Sequence, residues 1–151
     1  MPVNLSKAHN LAWRKFLTAH VILLEQIERD LAQAQLPPLS WYDVLFALAE
    51  ASESKLRLHE LAQAVLLSRS NLTRLVDRLE VAGLIRREQC PSDRRGAFAA
   101  ITEAGQMMRD RMWSVYGQGI DNYFADYLDI GEVKFLIKIL DRMTKAIDEA
   151  S

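Results

Sequence analysis

Between Ser68 and Arg78 the chain gathers Ser68, Arg69, Ser70, Asn71, Thr73, Arg74 and Arg78, a run of hydroxyl, amide and guanidinium groups. Hydroxyls and arginines hydrogen-bond phosphate oxygens, and a guanidinium fork can engage two acceptors of a base edge at once. Leu72, Leu75, Val76 and Leu79 are interleaved with them at i, i+3, i+4 and i+7. That spacing predicts a helix that buries its apolar stripe and presents the polar one. Ser68 stands at the expected N-cap and Gly83 where the helix should stop. Ser68 and Ser70 suit phosphate, and Arg74 suits the O6/N7 edge of guanine. Asp77, repelled by phosphate, is expected to orient Arg74 or Arg78. An ordinary solvated surface helix would show the same pattern, so the flanking elements decide.

Upstream, Leu61, Ala62 and Val65 mark the inward face of a short helix over 59–65, which follows an alternating Leu56-Arg57-Leu58 strand. Only Leu66 and Leu67 separate that helix from Ser68. A short helix, a tight turn and a second helix with basic residues outward make a helix-turn-helix. Downstream of Gly83, strands over 84–88 and 97–101 are bridged by the turn-forming stretch 89–96, which holds Asp93, Arg94 and Arg95. A hairpin in that position is a wing. Its arginines suit a narrow minor groove, where negative potential is concentrated, and Asp93 could hold Arg95 in place. Arg86 and Arg87 alternate along a strand, so at most one of them faces DNA.

The remaining elements are helical. Residues 6–35 contain no Pro or Gly, and a helix of about 28 residues spans roughly 40 Å, more than its own core requires. It is expected to pack against another chain. Pro37 and Pro38 break it, and Ser40 is the expected cap of a helix over 41–51, with Asp43 in a capping-box-like position. Thr102 should cap a helix running to about residue 127, bent or loosened at Gly117 and Gly119. Asp129 with Glu132 should start the last helix, which carries Phe135, Ile139, Met143 and Ile147. The expected architecture is mainly α with a small β-hairpin. It divides into a winged helix-turn-helix module at 36–103 and terminal dimerisation helices at 1–35 and 104–151.

Half of the 151 residues are hydrophobic and the net charge is −1, which by itself argues against a polyanionic partner. The distribution reverses that. Residues 55–96 hold nine basic and five acidic residues, a net +4, and the remainder is net −5, as expected of a DNA-contacting centre between acidic arms. Cys90 is the single cysteine. No internal disulfide is possible, and a reducing, cytoplasmic setting with no membrane partner is expected. His9, His20 and His59 are too scattered for a metal site. No nucleophile–base pair or glycine-rich phosphate loop suggests an enzyme, and no cofactor is expected.

These residues resemble the MarR family of winged helix-turn-helix regulators. The likeness is carried by Leu61-Ala62, by 68–80, by Gly83-Leu84-Ile85-Arg86-Arg87, by the wing Asp93-Arg94-Arg95-Gly96 and by Ile101-Thr102-Glu103-Ala104-Gly105. The resemblance implies a triangular homodimer, with intertwined terminal helices and two winged modules straddling a pseudo-palindromic operator in double-stranded DNA. It also implies transcriptional repression, relieved in many members by small aromatic ligands and in some by thiol oxidation. Oxidation-sensing members carry a cysteine near the start of the first helix, whereas Cys90 here lies on the wing.

Effectors in the family sit between the dimerisation helices and the winged module. The candidates there are Trp13, Arg14, Phe16, His20, Trp41 and Tyr42, with Arg14 or His20 meeting the polar end of an aromatic acid. The same residues could equally be core. Two other readings stay open from sequence: a winged-helix protein-interaction or architectural module, and a thiol-responsive regulator using Cys90.

Overall fold

The computed structural model describes the backbone of residues 1–90 and 93–150, and their side chains except at 90 and 93–95. Helix α1 (Lys7–Gln33) starts at Ser6, whose Oγ accepts the His9 N–H at 3.0 Å. It ends where Gln35 adopts φ 59° and the Leu36 N–H donates back to the Leu31 carbonyl at 2.9 Å. The prolines that follow cannot continue it. Helix α2 (Leu39–Glu50) begins earlier than expected, directly after Pro38. The expected Ser40 cap does not form. Glu28 of α1 accepts the Leu39 N–H at 2.6 Å, so a neighbouring helix does the capping.

Strand β1 (Lys55–Arg57) leads into α3 (Leu58–Ala64), a single 3-10 turn at Arg69–Asn71, and α4 (Leu72–Val81). Ser68 is not the N-cap of α4; Asn71 holds that position without a side-chain bond. At the far end Gly83 has φ 77°, and the Gly83 and Leu84 N–H groups donate to Glu80 O and Leu79 O, each at 3.0 Å. This closes the helix in the left-handed way that glycine permits without strain.

Strands β2 (Ile85–Cys90) and β3 (Asp93–Ile101) are longer than expected, because residues 89–90 and 93–96 belong to them. Pairing runs from Ile85↔Ile101 to Gln89↔Ala97, then shifts register to Cys90↔Asp93. β1 joins the other edge of β3, so the sheet order is β1-β3-β2, antiparallel throughout.

Thr102 caps α5 (Glu103–Tyr123) as expected, with Oγ1 accepting the Gly105 N–H at 3.0 Å and donating to Gly83 O at 2.7 Å. A Cβ at position 105 would stand 2.1 Å from the Leu84 carbonyl oxygen, so only glycine fits. Helix α5 stops at Tyr123, earlier than expected, and Gly117 and Gly119 do not interrupt it. Gly119 instead leaves room for Ile27, whose Cγ1 would lie 3.0 Å from a Cβ there. Helix α6 (Ile130–Ala150) opens on the expected capping box. The Asp129 N–H donates to Glu132 Oε1 at 3.1 Å, and the Glu132 N–H to Asp129 Oδ1 at 2.8 Å.

Two cores form. One joins α2, α3, α4 and the sheet through fully buried Val44, Leu45, Leu48, Leu61, Val65 and Leu79. The other joins α1, α2 and α5 through Ile27, Leu31, Leu39, Tyr42 and Met112. Trp41 and Met108 pack against both. Each fully buried Leu stabilises by about 1.5–3 kcal/mol relative to exposure, so α2 is anchored on two sides.

Candidate functional site

Leu75, Val76 and Leu79 point α4 into the first core. Ser70, Asn71, Thr73, Arg74 and Arg78 are exposed on the opposite side. Arg74 stands on a ridge between two shallow grooves, one edged by Ser70, Asn71 and Arg78 and the other by His59, Arg69 and Thr73. Neither Arg74 nor Arg78 forms an ion pair among the described residues. Arg69 is exposed too, but its Nε donates to the Val65 carbonyl at 3.2 Å and so bridges back to the end of α3.

Two expectations are corrected. Ser68 is only 5% exposed, and its hydroxyl donates to Ser40 O at 3.1 Å and Asp43 Oδ2 at 2.9 Å. A hydroxyl spent inside the fold is not free to meet phosphate. Asp77 orients neither Arg74 nor Arg78: it accepts from Arg87 Nη2 at 2.6 Å, while Glu80 accepts from Arg87 Nη1 at 2.7 Å. The hydrogen bond to Asp77, and after it the charge of Glu80, holds the Arg87 guanidinium protonated even more firmly than usual. Arg87 therefore ties the wing strand β2 to α4.

On the same strand Arg86 pairs with Glu88 at 2.9 Å, and Lys55 reaches Glu88 at 3.3 Å. The hydrogen bonds from Arg86 and then Lys55 hold the Glu88 carboxyl below its ordinary range. At the wing tip the side chains of Cys90, Asp93, Arg94 and Arg95 lie outside the described residues. Their backbone belongs to the end of the hairpin remote from Ile85↔Ile101.

A cavity of about 410 Å³ opens between α2 and α5 and is walled on one side by Leu66 and Leu67 of the connection between α3 and α4. Tyr42 stacks on Phe46 and on Trp113, with centroids 5.8 and 6.0 Å apart, and meets Tyr116 edge-on at 5.1 Å. Burial raises the phenol pKa values of Tyr42 and Tyr116, and in Tyr116 the Asp43 carboxylate adds to the effect. Arg109, also on the wall, pairs with Asp110 at 3.2 Å and lies 3.9 Å from Glu50.

Of the six residues expected at a ligand site, Tyr42 alone lines this cavity. Trp13, Arg14, Phe16 and His20 are exposed on the N-terminal half of α1, and Trp41 packs between the two cores. The sequence reading missed Phe46, Arg109, Trp113 and Tyr116. The signal was present: Arg109, Trp113, Tyr116 and Ile120 recur at helical spacing on α5, and Tyr42 and Phe46 are one turn apart on α2.

A short helix, a tight turn, a second helix with an exposed basic face and a hairpin tied directly to that helix define a winged helix-turn-helix, the architecture of DNA-binding transcription regulators. Residues 34–96 match the model of the MarR family. AbsC, a MarR family transcriptional regulator from Streptomyces coelicolor, superposes with a TM-score of 0.88 at 31% identity, over 98% of this chain and 99% of its own. Sco3205, another MarR family regulator from that organism, solved in complex with DNA, gives a TM-score of 0.88 at 32% identity over 97% of this chain and 91% of its own. The HTH-type transcriptional regulator YkoM of Bacillus subtilis is 29% identical over 119 residues, 79% of this chain and 75% of that protein. The chain belongs to the MarR family and is a DNA-binding transcription regulator.

Proposed function

We propose that this regulator is a homodimeric, sequence-specific repressor that grips a pseudo-palindromic operator and releases it when a small aromatic molecule fills the cavity between α2 and α5. The observation that carries the reading is the outward face of α4, where Arg74 and Arg78 stand exposed, without ion-pair partners among the described residues, beside Ser70, Asn71 and Thr73. Arg74 reads a guanine edge, while Ser70, Thr73 and Arg78 hold the backbone. Arg69 and Asn71 flank the entry to the groove, and Arg94 and Arg95 extend the grip along the wing.

Dimerisation is supported by the terminal helices. Among the described residues α6 has none that is buried, and Ile130, Phe135 and Ile147 are each more than two-thirds exposed. A helix this apolar needs a partner surface. The cavity supports a ligand because its size and aromatic walls suit a small planar molecule.

The test is a titration of the protein's own promoter DNA against random duplex at several salt concentrations. Steep weakening with salt and a strong preference for the promoter are expected. Arg74→Ala and Arg95→Ala should each weaken binding, and only Arg74→Ala should relax base preference at one symmetric position. Unchanged affinity in both variants overturns these assignments.

A further inference from the structure

Asp43 touches both parts of this machinery. From α2 its carboxylate accepts the Leu66 N–H at 3.1 Å on Oδ1 and 3.0 Å on Oδ2, and on Oδ2 also the Leu67 N–H at 2.6 Å and the Ser68 hydroxyl at 2.9 Å. Leu66, Leu67 and Ser68 lie in the connection between α3 and the 3-10 turn that enters α4. Their donors have no helical acceptors there, and a carboxylate satisfies them with bonds roughly twice as strong as neutral ones. The same side chain lines the aromatic cavity, together with Leu66 and Leu67.

The charges of that cavity are unequal. Arg109, the one basic residue on its wall among the described residues, is already matched by Asp110 and Glu50. Asp43 pairs with no cation among the described residues. An aromatic acid entering the cavity would meet an unbalanced negative charge, whereas an arylalkylammonium would find ring faces for cation–π contact and a carboxylate for its N–H donors.

We propose that Asp43 is the positioning residue of the DNA-reading helix, and that a planar aromatic ring bearing an alkylammonium group draws its carboxylate off residues 66–68 from within the cavity and so loosens α4. This rests on the reading of the cavity as an effector site and fixes the class of effector. A carboxylate has about four acceptor positions, and the turn already fills most of them, so an ammonium group competes with the turn directly. Transmission needs no long path, because the wall of the cavity and the support of the turn are one side chain.

The full-length protein is tested with three indoles that differ only in the side group: tryptamine, indole-3-acetate and 3-methylindole. The readouts are promoter affinity and amide exchange at Leu66 and Leu67. Tryptamine should bind at least about tenfold more tightly than indole-3-acetate, the effect of one charge-assisted hydrogen bond. It should also weaken promoter binding and speed exchange at both amides. Asp43→Asn should speed exchange at the same amides without ligand, weaken promoter binding about tenfold, and abolish the response to tryptamine. Ser68→Ala, which leaves the cavity wall intact, should keep that response and decides the matter should Asp43→Asn fail to fold.

Unchanged protection of Leu66 and Leu67 in Asp43→Asn, equal or tighter binding of indole-3-acetate, or no effect of tryptamine on these amides each overturns the proposal. Failure of the parent reading shows separately, in wild-type protein that does not prefer its promoter over random duplex.

Discussion

The winged module and the terminal helices use similar apolar content in opposite ways. In the module, Leu61, Leu79 and their neighbours are sealed from solvent within one chain. In α6, Phe135 is 68% and Ile147 69% exposed, on a helix of 21 residues that has no fully buried residue among those described. The module is thus a unit whose shape is set internally, whereas α6 leaves much of its apolar surface uncovered by its own chain among the described residues. On the proposed function, reading DNA and bringing two readers together would be separable tasks, joined through α1, α2 and α5.

The comparison breaks if a core change in the module spares it or if a change on α6 unfolds it. The largest effect is expected from Leu79→Ala, which deletes a side chain buried at the centre of the first core. It should cost about 4 kcal/mol, read as a large fall in midpoint during chemical unfolding. Phe135→Asp should cost about 3 kcal/mol of dimer stability, roughly a hundredfold in the dissociation constant, by placing a charge on a surface that needs apolar cover. Sedimentation should show monomers while circular dichroism still reports a folded module; loss of both together would mean that the two regions are one cooperative unit.

Within the module, Arg87→Ala should cost about 1 kcal/mol, because both of its ion pairs are partly solvated. It should also weaken DNA binding, by leaving Asp77 and Glu80 unneutralised on the reading helix, and Arg87→Lys should restore part of that loss at low salt. The smallest effect concerns Glu88. Its carboxyl is held below the ordinary range by Arg86 and Lys55, so its contribution is present above the unfolded carboxylate pKa and is lost as pH falls through the folded one. Glu88→Gln should therefore narrow the drop in thermal midpoint between pH 7 and about pH 3.5. An equal drop in variant and wild type would remove Glu88 from the account of acid sensitivity.

The local signals in the sequence were sufficient wherever the interaction was local. The stripe of Leu72, Leu75, Val76 and Leu79, the stop at Gly83, the Thr102 cap and the Asp129–Glu132 box all form as their spacing predicts. The misplaced features share one cause. Ser40 and Ser68 both look like caps within their own windows, but Glu28 takes the first role across 11 residues of chain, and Asp43 draws Ser68 inward across 25. Asp77 likewise finds Arg87 on the next strand rather than an arginine on its own helix.

The two halves of the cavity were each legible as a helical stripe, but their pairing was not, for the same reason. Its rings come from α2 and α5, two helices more than 50 residues apart in sequence whose facing is a tertiary matter. Composition misled at 89–90 and 93–96 as well, where residues expected in a turn belong to the strands of the hairpin.

The base of that hairpin is stitched shut. Ile85 pairs with Ile101, the Thr102 N–H donates to Leu84 O at 3.0 Å, and the Thr102 hydroxyl holds Gly83 O, over a glycine at 105 that admits no side chain. Length beyond this closure is then a free variable for evolution or for an engineer. Residues added in matched pairs to β2 and β3 keep every side chain on its original face and move the tip farther along a duplex without turning the helix that reads it. Single-residue insertions would invert the faces, so the reach of the wing should change in steps of two residues per arm.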